Sequence, residues 1–317
     1  MTHLKRAIKL QMYESSGSFA ERFDDLVGIG LGGAGVGGAG LGGARLDGAG
    51  VDGTGLDGVE IGFDDALPLA EIARASAGSG LEVPTLIVGS TFESSLTSAD
   101  ATERATAAAA VVRAVDAAHT LGSGVVMISP GWDRADLHPT DTAEVVRDAL
   151  SNAVCAAEAA GVTIAVENLW NGWLTSATDL AAFVDSFQSA NVGVLFDSGN
   201  AARFAAPQHW ITTLGHRIVR FDVKDYKNGW ARKPATVYAP DDQLQAVWGE
   251  GAPWGALDCL IFEGDVSWPR VASALDDCGY AGWVCAEHGT GDLNWVERFA
   301  ADLARLNELV TNNEGKS

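Results

Sequence analysis

The chain has 317 residues, 47% of them hydrophobic, and sets 21 Lys and Arg against 42 Asp and Glu for a formal charge of -21. That length and composition are sufficient for one large domain with a substantial core, and the charge repels nucleic-acid phosphates and anionic membranes over most of the surface. The four cysteines, 155, 259, 278 and 285, include no CxxC pair and no zinc spacing with histidine, which makes them reduced packing residues. No apolar run approaches the roughly 18 residues of a membrane span, and the first residues lack a signal-peptide cleavage pattern, so a cytoplasmic protein is expected.

In chain order, short β-rich runs alternate with helical stretches. Strands are expected at 7–13, 58–63, 84–90, 124–129, 162–168, 192–197, 218–224 and 282–287, and helices at 18–27, 67–77, 101–121, 142–160, 176–189, 209–214, 267–278 and 293–310. Eight β-then-α units with no residue block left over predict a single-domain α/β fold, the (β/α)8 TIM barrel.

Between the first helix and the second strand the chain reads LGGAG VGGAG LGGAR LDGAG VDGTG LDGVE over residues 31–60. Gly28, Gly30 and Gly33 satisfy G-x-G-x-x-G, yet a dinucleotide fingerprint needs a strand before it and a helix opening within it. Here a helical run comes first, and nearly half of residues 28 to 58 are glycine, which disfavours any helix. Removing 31–55 leaves DDLVGIGLDGVEIGF, a helix, a short turn and a strand of ordinary barrel length. The pentads are therefore expected to be a duplicated insertion in the connection on the barrel face opposite the active site, with a stacked glycine-rich structure as the rival reading.

In such barrels chemistry gathers where strands end. Glu60, Glu167, Asp197, Asp222 and Glu287 all lie within or at the ends of apolar runs, in GVEIGF, TIAVENLW, VGVLFDSGN, IVRFDVKD and GWVCAEH. Carboxylates there are costly unless paired with basic groups or bound to a cation. An all-oxygen set from four strands suits Mn²⁺ or Mg²⁺ better than structural zinc. Such an ion would polarise a sugar carbonyl while two carboxylates move protons at the neighbouring carbon. Lys224, two residues beyond Asp222, supplies further positive charge to the site or forms a rim ion pair with Asp225. Trp132, Trp170, Trp173 and Trp230 follow strands four, five and seven, and two of them, Trp132 and Trp170, are expected to shield the pocket or stack on a sugar face. His288 follows Glu287 directly and is expected to point away from the site.

The segments VENLW (166–170), FDSGNAA (196–202), FDVKDY (221–226), EGDVSWPRVASAL (263–275) and GYAGWVCAEH (279–288) resemble, in order and spacing, the sugar phosphate isomerase/epimerase family with the xylose-isomerase-like TIM barrel. The resemblance implies a divalent-metal-dependent sugar, sugar phosphate or polyol isomerase or epimerase, with Mn²⁺ as the expected ion and Mg²⁺ or Co²⁺ as substitutes. It implies Glu167, Asp197, Asp222 and Glu287 as metal ligands and Glu167 and Glu287 as the acid and base. Asn200, Lys224, Trp132, Trp170 and Glu60 are the expected substrate contacts. Two departures stand out: the strand-seven position, normally His in H-x-K-D, is Asp222, and a D-x-x-H stretch on strand six ends in Asn200. The expected partner is a small sugar or sugar phosphate, with no nucleic acid and no membrane, and dimers and tetramers are common in the family. The alternatives are a non-catalytic sugar-binding relative and an apurinic endonuclease-like hydrolase; the latter's histidine-rich zinc cluster has no counterpart at Ser129, Asn200 and Asp222.

Overall fold

A computed structural model describes residues 3–29, 55–93, 96–134, 136–227, 257 and 259–313. Eight parallel strands close into a barrel in sequence order: β1 (Lys5–Lys9), β2 (Gly58–Phe63), β3 (Thr85–Val88), β4 (Val125–Ile128), β5 (Thr163–Glu167), β6 (Val192–Asp197), β7 (Ile218–Val223) and β8 (Trp283–Ala286). Around them lie α1 (Phe19–Val27), α2 (Leu69–Ser79), the short α3 (Ser90–Glu93), α4 (Ala101–Leu121), α5 (Pro139–Ala160), α6 (Ala177–Asp185), the short α7 (Ser198–Ala202), α8 (Pro207–Leu214), α9 (Trp268–Asp277) and α10 (Leu293–Asn313). This is the expected single-domain TIM barrel. Most of the pentad repeat (residues 30–54) and Trp230 fall outside the described residues.

Strand alternation divides the core in two. Leu86, Val126, Ile164, Phe196 and Phe221 face outward into the layer packed by Val111, Leu150, Phe183, Leu275 and Phe299 of the helices. Inside the barrel, Ile87, Val125, Met127, Ala165 and Leu195 fill the half beneath β3 to β6. The other half, beneath β1, β2, β7 and β8, holds buried polar groups: Lys9, Glu60, Asp222 and the largely buried Arg220.

Two departures from the sequence expectation position the site. β1 spans Lys5–Lys9 rather than 7–13, and Leu10–Met12 turns into a 3-10 helix. Lys9 therefore ends the strand, beside Glu60 of β2. On the other side of the barrel, β6 pairs with β7 as Val194 with Ile218 and then Leu195 with Arg220, a register shift that leaves Val219 as an extra residue. Because the side-chain period is two, this one-residue slip turns Arg220 and Asp222 inward and sends Phe221 outward onto Phe196. Gly193 makes room for the bulge, since a Cβ there would come within 2.8 Å of Val219.

Helix α1 opens with a capping box between Ser18 and Glu21 and runs to Val27, so Gly28 follows a helix and cannot begin a dinucleotide fingerprint. A Cβ at Gly55 would lie 3.5 Å from the Ile29 carbonyl oxygen, so the chain leaves and rejoins the barrel at nearly one point.

Candidate active site

The C-terminal ends of four strands deliver the four expected carboxylates to one place. Glu167 is the last residue of β5 and Asp197 the last of β6; Asp222 is paired with Asp197 across β6 and β7, and Glu287 follows the end of β8. One oxygen from each lies within 4.8 Å of one from every other.

Backbone clamps fix these positions. Asn168 spans β5 and β6, its Oδ1 accepting from the Asp197 N–H at 2.7 Å and its Nδ2 donating to the Asp197 carbonyl at 2.9 Å. Asp197 caps α7, Oδ1 accepting from the Asn200 N–H at 2.8 Å. The Asn200 side chain donates to Glu167 Oε1 at 3.1 Å and so braces that carboxylate. Ser198 Oγ donates to the Lys224 carbonyl at 2.7 Å and fixes the exit of β7. Asp225 does not pair with Lys224: its two oxygens accept from the N–H groups of Tyr226, Gly264 and Val266 and from Trp268 Nε1, and so fold the turn that leads into α9.

Two ammonium groups enter the acid cluster. Lys224 Nζ lies 2.8 Å from Asp197 Oδ2 and 3.0 Å from Glu287 Oε1. Lys9 Nζ lies 2.8 Å from Asp222 Oδ2 and 2.7 Å from Glu287 Oε2. Lys9 was not among the residues expected from sequence. The side chains of Glu287 and Lys224 are 28% and 12% exposed, which puts them at the mouth, whereas Asp197 and Asp222 are fully enclosed.

Glu60, an expected substrate contact, sits deeper. It is fully buried, accepts from Thr85 Oγ1 at 2.7 Å, and neighbours Asp222 and Cys285. Arg220 Nε donates to the same Thr85 oxygen. Trp132 and Trp170 occupy loops joined by a bridge between Trp132 and Gly172; Trp170 is buried with the Arg203 guanidinium 5.2 Å from its ring. Trp173 is a packing residue, edge-on to Phe183, with Nε1 bonded to the Pro130 carbonyl. His288 turns away from the cluster and packs on Trp295 and Phe299.

Burial and these partners separate the proton affinities of the carboxylates. Desolvation, with Glu287 nearby, pushes Glu167 up to about 8. Burial likewise raises Asp197 and Asp222, against the opposing pull of Lys224 and Lys9. For Glu287 burial pulls upward as well, but Lys224 and Lys9 together overcome it and hold the group below the usual carboxylate range. Both lysines stay charged: burial favours the neutral amine, and the surrounding carboxylates outweigh it.

The donor set fits a hard divalent cation. Asp222 Oδ1 is buried with no hydrogen-bond partner, Asp197 Oδ2, Asp222 Oδ2 and Glu287 Oε2 are met only by the two ammoniums, and four carboxylates at this spacing supply the oxygen ligands that Mn²⁺ or Mg²⁺ prefers. Among the described residues no histidine joins this group.

A family model for the xylose isomerase-like TIM barrel matches residues 51–309. The chain belongs to this family. Among solved structures it is similar to 3-keto-D-glucoside 4-epimerase from E. coli, at 14% identity over 96% of this chain and 99% of that one with a TM-score of 0.67. It is also similar to D-psicose 3-epimerase from Clostridium cellulolyticum H10, at 17% identity over 97% and 99% with a TM-score of 0.68. An AP endonuclease, family 2, from Brucella melitensis aligns comparably, at 16% identity over 95% and 99% with a TM-score of 0.64. At these identities the likeness establishes the fold, and the site must decide between chemistries. No curated protein matches the sequence. No helix among the described residues is long and apolar enough to cross a membrane.

Proposed function

We propose that this protein is a divalent-metal-dependent sugar isomerase or epimerase that moves a proton at the carbon next to a carbonyl. The observation that carries the reading is the meeting of Glu167, Asp197, Asp222 and Glu287, from four strands, at the barrel mouth. These four would hold the ion, with Mn²⁺ as the expected metal. When bound there, a divalent cation polarises a substrate carbonyl and offsets the charge that gathers on its oxygen.

The protein's own groups supply the rest. Glu167 and Glu287 stand three strands apart on the closed barrel, which suits contact with opposite faces of a substrate lying between them. Glu167 and Glu287 exchange the proton between them and the substrate: one, as a carboxylate, accepts it from carbon, and the other, as a carboxylic acid, delivers one. The reverse reaction exchanges these roles. Lys224, at the mouth, donates a hydrogen bond to a substrate oxygen, and Asn200 keeps Glu167 aimed. Trp132 and Trp170 provide apolar surface beside the sugar. The structural neighbours named above favour a 3-epimerase or 4-epimerase activity on a ketose or keto-sugar.

An endonuclease reading draws on the similar alignment to the AP endonuclease, but the acid cluster lacks histidine and the chain's charge of -21 repels a phosphate backbone. The reading is tested by Mn²⁺ titration after chelation. About one ion per chain is expected, with binding lost in the Asp197→Ala/Asp222→Ala double variant; affinity unchanged in that variant refutes it.

A further inference from the structure

We infer that Lys9 is a tethered cation that competes with the divalent ion for Asp222 and Glu287 and so sets how tightly the site holds it. The inference rests on the metal-site reading above. Its ammonium lies 2.8 Å from Asp222 Oδ2 and 2.7 Å from Glu287 Oε2, and so occupies one side of the same cage of oxygens that would surround a metal.

Other roles for this lysine fit less well. Its side chain is 4% exposed, beneath the mouth, so it reaches neither solvent nor a substrate that enters from above. A surface ion pair would leave one partner in water, yet Asp222 is fully enclosed. The end of β1 fixes Lys9 in register, with Ile8 beside Ala286 and Lys9 beside Glu60, within ion-pair reach of Glu287. The Lys9–Asp222 pair is matched by the bulge in β7 that turns Asp222 inward, so two separate features of the barrel are needed to bring the pair together.

Charge gives the pair its consequence. With all groups ionised, as a bound divalent ion would make them, the interior and mouth of the barrel hold five carboxylates, Glu60, Glu167, Asp197, Asp222 and Glu287, against the cations Lys9, Lys224 and Arg220. Two negative charges are left, the amount one divalent cation neutralises. Without Lys9 three are left, and Asp222 and Glu287 are released to bind the ion without sharing. Lys9 thus makes Asp222 electrically neutral toward the metal while leaving its oxygens in place. The expected result is a site that retains its ion less tightly than four free carboxylates would, and leaves Glu287 free to move protons.

The test is a calorimetric Mn²⁺ titration of the chelator-treated full-length protein and of K9M, D222N and K9M/D222N at one fixed pH. K9M is expected to bind Mn²⁺ at least about tenfold more tightly, since a unit charge about 4 Å from a divalent ion is worth more than a factor of ten even at water's dielectric constant. D222N is expected to bind more weakly than the parent, and the double variant to return to within about threefold of it, because the pair is then removed without net charge. A lysine that merely supports the fold would lower stability in K9M without tightening metal binding. Should K9M fail to fold, K9Q serves as the second neutral replacement, and the same tightening is expected. An affinity that is unchanged or weaker in a folded neutral variant overturns the inference. A parent that binds no Mn²⁺ instead overturns the metal-site reading, so the two failures are distinguishable.

Discussion

Replacing Glu167 with Gln should make the metal-free protein more stable while removing its activity. In the folded chain burial and the neighbouring Glu287 push Glu167 up to about 8, from an ordinary value of 4.5. The folded protein thus keeps this proton through neutral pH, whereas the unfolded chain gives it up. A group with a raised folded pKa contributes its full stability below the unfolded value, and loses it as pH rises toward the folded one. At about 1.4 kcal/mol per pH unit, the parent has lost about 3 kcal/mol at pH 7 relative to an uncharged side chain. Gln is uncharged, and its amide oxygen still accepts from Asn200 Nδ2 as the carboxyl does. Denaturant titrations in chelator at pH 5, 7 and 8 should show E167Q gaining on the parent as pH rises, with little difference near pH 4.5. Turnover with metal present should fall by about 100-fold or more, the scale of general acid-base catalysis. A variant no more stable than the parent at pH 7 and 8, or a difference independent of pH, refutes the electrostatic account of this residue.

Glu287→Gln should also reduce turnover by about 100-fold, but with the opposite effect on stability. Lys224 and Lys9 hold Glu287 below the usual range, so its contribution is present above about pH 4.5 and is lost on acidification; melting in chelator at pH 7 should show E287Q less stable than the parent. Asn168→Ala leaves the buried N–H of Asp197 without its partner and takes one of the donors from its carbonyl, which should cost about 1 to 3 kcal/mol in denaturant unfolding and weaken Mn²⁺ binding; a loss under about 0.5 kcal/mol contradicts the clamp. Deleting residues 31–55 should leave folding, metal binding and turnover nearly unchanged, because the flanking ends already lie together at Ile29 and Gly55; loss of any of them shows the pentads to be structural or functional.

The barrel and the four carboxylates were legible because strand-end acids in apolar runs are rare without a reason, and eight alternating units leave one closed fold. Lys9 was not legible. A strand of a parallel barrel is buried on both faces, so its apolar pattern gives a period without a phase, and KRAIKLQMY offers no sign that β1 ends at Lys9 rather than continuing. The β7 bulge was hidden for the same reason: IVRFDV reads equally well with Val219 or Arg220 inside, and only pairing with β6 decides. Glu60 satisfied the same strand rule as the others, but it sits at the third residue of a six-residue strand, one tier too deep for the rim. Asn200 was legible as a site residue and not as the holder of Glu167, since that contact joins β5 to α7.

The most direct test of the central claim is proton exchange followed by NMR in D₂O, with ketoses, ketose phosphates and keto-inositols offered to the Mn²⁺-loaded protein. The account predicts deuterium at the carbon next to the carbonyl of at least one of these compounds, abolished by chelation and in E167Q and E287Q. Exchange that persists in both variants at the parent rate, or no exchange with any compound by a protein shown to bind its ion, contradicts it.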